Sequence, residues 1–189
     1  MRNSFSSYVS RVHKVGLALD EAQVKRLEDE ISIRLKNKKK IFLCGNGGSA
    51  ANAIHMENDY LYGVKKSKGQ GANVYALSAN SSVITCLAND IGYEEIFAEQ
   101  LRVKGGEGDL LIVFSGSGNS PNILNALDAS ADLKITSAAI LGFDGGIAKD
   151  KAEIVIHADV DDMQVAEDLQ CMVLHHIMQN IYQSTNPKE

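Results

Sequence analysis

His55 and Asp59 stand four residues apart in a stretch that reads as helix, and that spacing puts both side chains on one face. An imidazole and a carboxylate so placed can share a divalent metal or divide a proton transfer between them. Glu57 cannot take the aspartate's place, since two residues along a helix turn about 200° around its axis. Just before this pair runs Cys44-Gly45-Asn46-Gly47-Gly48-Ser49-Ala50-Ala51. Its glycines let the backbone turn tightly and approach a ligand, while the free N–H groups of the helix that starts there attract an anion. The run is not the G-x-G-x-x-G dinucleotide pattern, because Gly45, Gly47 and Gly48 are followed by Ala50, and no P-loop lysine closes it. A second run, Ser115-Gly116-Ser117-Gly118-Asn119-Ser120-Pro121, carries three hydroxyls that can donate to phosphate oxygens. Ser120 before Pro121 also has the form of an N-cap followed by proline at the first helical position. Ser115 and Ser117 exceed what a turn with two glycines needs.

These groups require a frame, and the apolar pattern supplies one. Short apolar runs at Lys40–Cys44, Asn73–Leu77, Asp109–Phe114, Thr136–Leu141 and Ile154–Ile156 read as strands, with helices expected over 49–63, 81–89, 93–103, 121–133 and 163–183. Strands apolar on both faces that alternate with helices predict an α/β fold, a doubly wound five-stranded parallel sheet. In the order 2-1-3-4-5, strands one and three are neighbours at the switch point, where the loops after them splay apart into a crevice. Both polar loops then line one site for a phosphorylated small molecule. Upstream, Val24, Leu27, Ile31 and Leu35 recur at helical spacing and predict an N-terminal helical extension over 1–39, as one helix or as two broken near Asp20. The run Lys36, Lys38, Lys39 and Lys40 fits a helix C-terminus, where cations oppose the macrodipole. Residues 1–189 read as a single domain, with Ser184–Glu189 as a disordered tail.

Composition narrows the function classes. Lys and Arg total 19 against 24 Asp and Glu, a net charge of -5, so no basic surplus exists to hold nucleic acid. No apolar run approaches the roughly 20 residues that cross a bilayer, and no secretory signal follows Met1. Three widely spaced cysteines, Cys44, Cys86 and Cys171, form no disulfide framework and predict a cytoplasmic protein.

The run Gly45-Asn46-Gly47-Gly48-Ser49-Ala50-Ala51, the pair Asn89-Asp90 followed by Gly92-Tyr93, and Ser117-Gly118-Asn119-Ser120-Pro121-Asn122 resemble the sugar isomerase (SIS) domain family over nearly the whole chain. The resemblance implies a homotetramer with active sites at subunit contacts. It also implies conversion of sedoheptulose 7-phosphate to an aldoheptose 7-phosphate, on the way to nucleotide-activated heptose for lipopolysaccharide or capsule. By position, Ser49, Ser115, Ser117 and Ser120 correspond to phosphate-binding serines. Asn46, Gly47, Gly48 and Gly116, with Asn89 and Asp90, correspond to substrate contacts. His55, Asp59, Glu167 and His175 correspond to a site for one divalent metal, zinc, in which Asp59 is the base, His175 the acid and Glu167 a further substrate contact.

Two positions depart from the family. Asp59 stands where a glutamate is usual and retracts the carboxylate by about 1.5 Å, and Glu167 stands where a glutamine is usual, adding charge near the sugar. Eight helical residues separate Glu167 from His175, a rise of about 12 Å, so one metal between them needs both side chains reaching inward. Cys171 and His175, at i and i+4, are a local competitor for the ligand pair. The departures keep open an isomerase for another phosphosugar, or a non-catalytic sugar-phosphate binder.

Overall fold

The computed structural model describes residues 4–65, 69 and 71–183; the expected tail at 184–189 lies outside them. Helix α1 (Phe5–Gly16) opens at Ser4, whose hydroxyl accepts from the Ser7 N–H. Helix α2 (Glu21–Asn37) opens at Asp20, whose carboxylate accepts from the Ala22 and Gln23 N–H groups. The N-terminal segment is therefore two helices, and Asp20 is a cap of the kind that satisfies otherwise orphaned donors. The lysines after α2 serve the structure: Lys38 closes the helix in a left-handed turn, and the Lys39 and Lys40 ammonium groups donate to the Glu107 and Lys104 carbonyls.

Next come β1 (Lys40–Gly45), α3 (Gly47–Asn58), a π turn (Asp59–Gly63), β2 (Asn73–Ala76) and α4 (Ser81–Asp90). A 3₁₀ turn (Tyr93–Glu95), α5 (Ala98–Lys104), β3 (Leu110–Ser115), α6 (Pro121–Asp132) and β4 (Thr136–Leu141) follow. The chain continues through α7 (Ala148–Lys151), β5 (Ile154–His157) and α8 (Met163–Gln183). The five strands are all parallel in the order β2-β1-β3-β4-β5. Leu43 pairs with Ala76 on one side and Ile112 on the other, fixing the register about the central strands.

Alternate residues of each strand feed opposite cores. On one face Ile41, Leu43 and Ile112 pack with Leu27 and Ile31 of α2, Met56 of α3 and Leu174 of α8. On the other, Phe42, Leu111 and Val113 pack with Phe97, Leu101 and Ile123 beside α5 and α6. Each such side chain contributes about 1.5–3 kcal/mol by leaving water, which is why the central strands β1 and β3 are mostly apolar, whereas the edge strand β2 alternates exposed and buried residues. Helix α1 buries no residue fully. It is tied to α8 by the Tyr8 hydroxyl, which donates to Asp168 at 2.7 Å, and by Arg11 with Asp162 at 3.2 Å. The bond to the Asp168 carboxylate pushes the Tyr8 phenol up to about 12.

Three helical expectations change. The helix expected over 49–63 is α only to Asn58 and then widens into the π turn. The stretch 93–103 divides into the 3₁₀ turn and α5. Helix α7, a single turn, is too short to leave a periodic apolar signal. No helix among the described residues is long and apolar enough to cross a membrane.

Candidate active site

The two polar loops meet above the ends of β1 and β3. Asn46, Gly47, Gly48 and Ser49 form one wall of a cleft of about 260 Å³, and Ser115, Gly116, Ser117 and Ser120 form another, with Met163 and Glu167 of α8 closing it. Helices α3 and α6 both begin here, so two sets of unpaired N–H groups and two positive dipole ends face the same space. Neither cap residue, Asn46 nor Ser120, bonds its own helix through its side chain, which leaves those donors for a ligand. Among the described residues, no lysine or arginine lines the cleft.

The serines divide the work differently from the sequence expectation. Ser120, the apparent cap, makes no capping bond. Ser115, buried at the end of β3, accepts from the Gly118 N–H at 3.0 Å, and Ser117 accepts from the Asn119 N–H at 3.3 Å. These two hydroxyls shape the loop from within. Gly118 is held at φ +64°, where a Cβ would lie 1.9 Å from the Gly145 carbonyl oxygen, so the turn requires glycine.

Asn46 is fixed by a contact that pattern reading missed. Its amide exchanges two hydrogen bonds with the buried Asn122, at 2.9 and 2.8 Å, and its oxygen also accepts from the Tyr93 hydroxyl at 3.0 Å. A second cleft, lined by Asn46, Tyr93, Ser120 and Asn122, adjoins the first. The available signal was an asparagine in the first turn of a helix, directly after Pro121, at a position that the fold buries.

Two and three turns along, α3 and the π turn meet α8. His55 Nε2 and His175 Nε2 are 3.1 Å apart, and Asp59 Oδ2 lies 3.6 Å from the first and 3.3 Å from the second. A tetrahedral zinc with ligands at about 2.0–2.1 Å separates its donors by about 3.3 Å, so the three atoms already occupy three corners. They form the group of potential metal-holding residues found among the described residues. Two imidazoles and a carboxylate, with both histidines half-exposed, are a donor set that could hold a divalent metal.

Glu167 lies outside this group. Its carboxylate sits against Gly48, where a Cβ would meet both oxygens at 2.4 Å, so it belongs to the anion cleft. Cys171 is also outside the group, and burial, with the nearby carboxylates, pushes its thiol up. His176 pairs with Asn180. Asn89 and Asp90 are exposed at the end of α4 and bond to each other at 2.8 Å, apart from the cleft lining.

Two helix starts open onto one cleft at the switch point of this parallel sheet, and the family model described as SIS domain matches residues 4–142. The phosphoheptose isomerase of Helicobacter pylori strain Shi470 is 38% identical over 141 residues, covering 75% of this chain and 73% of that one. The phosphoheptose isomerase of Fusobacterium nucleatum is 30% identical over 185 residues, covering 95% and 93%. A solved phosphoheptose isomerase from Francisella tularensis superposes with a TM-score of 0.87 at 26% identity, over 95% of this chain and 94% of that one. The chain belongs to the phosphoheptose isomerase family of SIS-domain proteins.

Proposed function

We propose that the chain converts sedoheptulose 7-phosphate to D-glycero-D-manno-heptose 7-phosphate, supplying nucleotide-activated heptose for lipopolysaccharide or capsule. The observation that carries this reading is the placement of the anion cleft and the His55–Asp59–His175 group on one pair of helices. Gly48 and His55 are seven residues apart on α3, an axial rise of about 10 Å. An extended seven-carbon sugar phosphate has eight bonds between phosphorus and carbon 1, roughly 10 Å at ordinary bond lengths. With the phosphate over Gly48, the two reacting carbons come level with the histidines. A pentose phosphate is shorter by two bonds and does not reach.

Binding the phosphate at the cleft holds the far end in register, which converts a diffusive encounter into a positioned one. Asp59 takes the proton from carbon 1, and the electron pair moves into a double bond between carbons 1 and 2. The carbonyl oxygen on carbon 2 accepts a proton from His175 to give the enediol. A proton then returns to carbon 2, oxygen 1 gives up its own, and the aldehyde is formed at carbon 1. A divalent metal, zinc, one per site, held by His55, Asp59 and His175, would supply carbonyl polarisation. For Glu167, the position against Gly48 supports substrate contact over metal ligation.

The reading extends to assembly and place. An apolar groove of about 510 Å³ between α1, α2 and α8, lined by Val12, Leu17, Leu19, Val24, Leu169 and Val173, supports a homotetramer. In such an assembly the exposed Asn89 and Asp90 have a neighbouring subunit to face. Free cysteines fit a cytoplasmic enzyme acting as one SIS domain. Incubation with sedoheptulose 7-phosphate and with a panel of pentose and hexose phosphates, followed by detection of the aldose, tests the function. Turnover confined to the shorter sugars refutes it.

A further inference from the structure

The residue after Asp59 makes a contact that the proton transfers above do not use. Tyr60 is 3% exposed, packed among Ile31, Ile41, Leu43 and Val74. Its hydroxyl donates to the backbone carbonyl of Leu174 at 2.8 Å, and Leu174 immediately precedes His175. Consecutive residues of one element thus meet consecutive residues of another: Tyr60 with Leu174, and Asp59 with His175 at 3.3 Å.

The π turn makes this pairing possible. Neighbours on a regular α-helix are about 100° apart around the axis and do not share a face. Here Asp59 begins a wider turn, and its carbonyl accepts from the Val64 N–H five residues on. Such turns recur at functional sites. Tyr60 is also held from behind, since its own carbonyl accepts from the Ala72 N–H at 3.0 Å. The phenol is therefore a short strut from an anchored backbone to the residue before His175.

We infer that Tyr60 is a positioning residue, whose hydroxyl sets the place of His175 against Asp59 and His55; the inference rests on reading that group as the reaction and metal centre. Apolar packing of the ring is non-directional, so the ring alone leaves α8 free to slide along the π turn. The hydrogen bond fixes that slide. A slip of about 1 Å would carry His175 Nε2, now 3.1 Å from His55 Nε2 and 3.3 Å from Asp59 Oδ2, out of a tetrahedral spacing of about 3.3 Å. The other end of the interface has its own brace: the Asn52 amide donates to the Glu167 carbonyl and to Gln170 Oε1, both at 3.0 Å. Tyr60 therefore acts on the reaction end, and Asn52 on the cleft end.

The test is Tyr60→Phe in the full chain, which removes one oxygen and keeps the ring. Zinc affinity is measured by competition with a chromophoric chelator, kcat and KM with sedoheptulose 7-phosphate, and folding by thermal melting. The expected result is zinc binding weaker by about tenfold and kcat lower by about tenfold or more. KM stays within about twofold, because the cleft is braced separately, and melting remains cooperative. Wild-type zinc affinity and kcat in the variant overturn the inference. Loss of the folded state, or kcat falling only in step with stability, overturns it too, by making the hydroxyl a general support of the fold. The zinc arm needs no turnover, so a wild-type protein inactive on sedoheptulose 7-phosphate would refute the proposed reaction and leave Tyr60 to be decided by metal affinity.

Discussion

A methyl group on Gly48 would lie 2.4 Å from both Glu167 carboxylate oxygens, about 1 Å inside ordinary contact at 3.4 Å. The clashing atoms are the end of a flexible side chain and can swing away, at a cost of about 0.5–1.5 kcal/mol if the rotamer is strained. Against this, alanine is favoured over glycine in a helix by up to about 1 kcal/mol, and Gly48 belongs to α3. Gly48→Ala should therefore unfold within about 4 °C of the parent. The methyl and the displaced carboxylate now occupy the anion cleft, and misplacing the phosphate by about 1 Å should lower kcat/KM by on the order of a hundredfold. Gly118→Ala is the counterpart. At φ +64° its methyl would lie 1.9 Å from the Gly145 carbonyl oxygen and 2.6 Å from the carbonyl carbon, and backbone cannot swing. Strain and overpacking together cost about 3 kcal/mol or more, with a fall in Tm of roughly 10 °C. Thermal unfolding and steady-state kinetics on both variants read the contrast. A Gly48→Ala protein with parental KM and kcat would show that the anion is not seated over Gly48. Parental Tm in Gly118→Ala would refute the loop packing.

Three further outcomes are expected. Asp59→Asn and His175→Ala should each abolish detectable turnover, a loss of at least about 10²–10⁴ for an acid or base, while calorimetry still finds sugar-phosphate binding; near-normal turnover in either refutes its role. Asn122→Leu strips Asn46 of both amide bonds, so stability should fall by about 1–3 kcal/mol and KM should rise; unchanged KM means that Asn46 does not need this anchor. The exposed Cys86 donates to Asp90, whose carboxylate pushes the thiol pKa up. A raised pKa means less thiolate at neutral pH, so Asp90→Asn should speed alkylation of Cys86 at pH 8, whereas an unchanged rate would show that the contact has no effect in solution.

The fold was legible because its frame repeats one physical rule. A central strand buried on both faces must be mostly apolar, and five short apolar runs separated by helical stretches leave a parallel sheet as the arrangement that covers them. Strand limits followed closely, from Lys40 and Thr136 at the starts to Leu141 at an end. The π turn at Asp59 was not legible, because a one-residue widening changes hydrogen bonding without changing composition. Its anchor at Leu174 lies 114 residues away. For the same reason Ser115 and Ser117 read as surplus hydroxyls, although their acceptors bind loop N–H groups whose direction only the folded turn decides.

Glu167 shows what spacing alone leaves open. Placing it with His175 around one metal required two side chains to span an axial rise of about 12 Å. The helices instead run in the same direction, with Gly48 against Glu167, Asn52 against Gln170, and Asp59 against His175. Contacts between side-by-side helices advance together, so residues far apart on α8 meet residues far apart along α3 and the π turn. One helix pair thereby positions two separate groups, the cleft at Gly48 and Glu167 and the cluster of His55, Asp59 and His175. The carboxylate at the cleft has a further consequence. In a chain of net charge -5, a cleft that no described lysine or arginine lines offers phosphate N–H groups, hydroxyls and two helix starts, and the Glu167 carboxylate opposes that attraction. Phosphate affinity should therefore rise in Glu167→Gln, measured by titration with inorganic phosphate in the metal-free protein. Equal affinity in the two proteins would place the anion away from Glu167 and undo the length argument for a seven-carbon substrate.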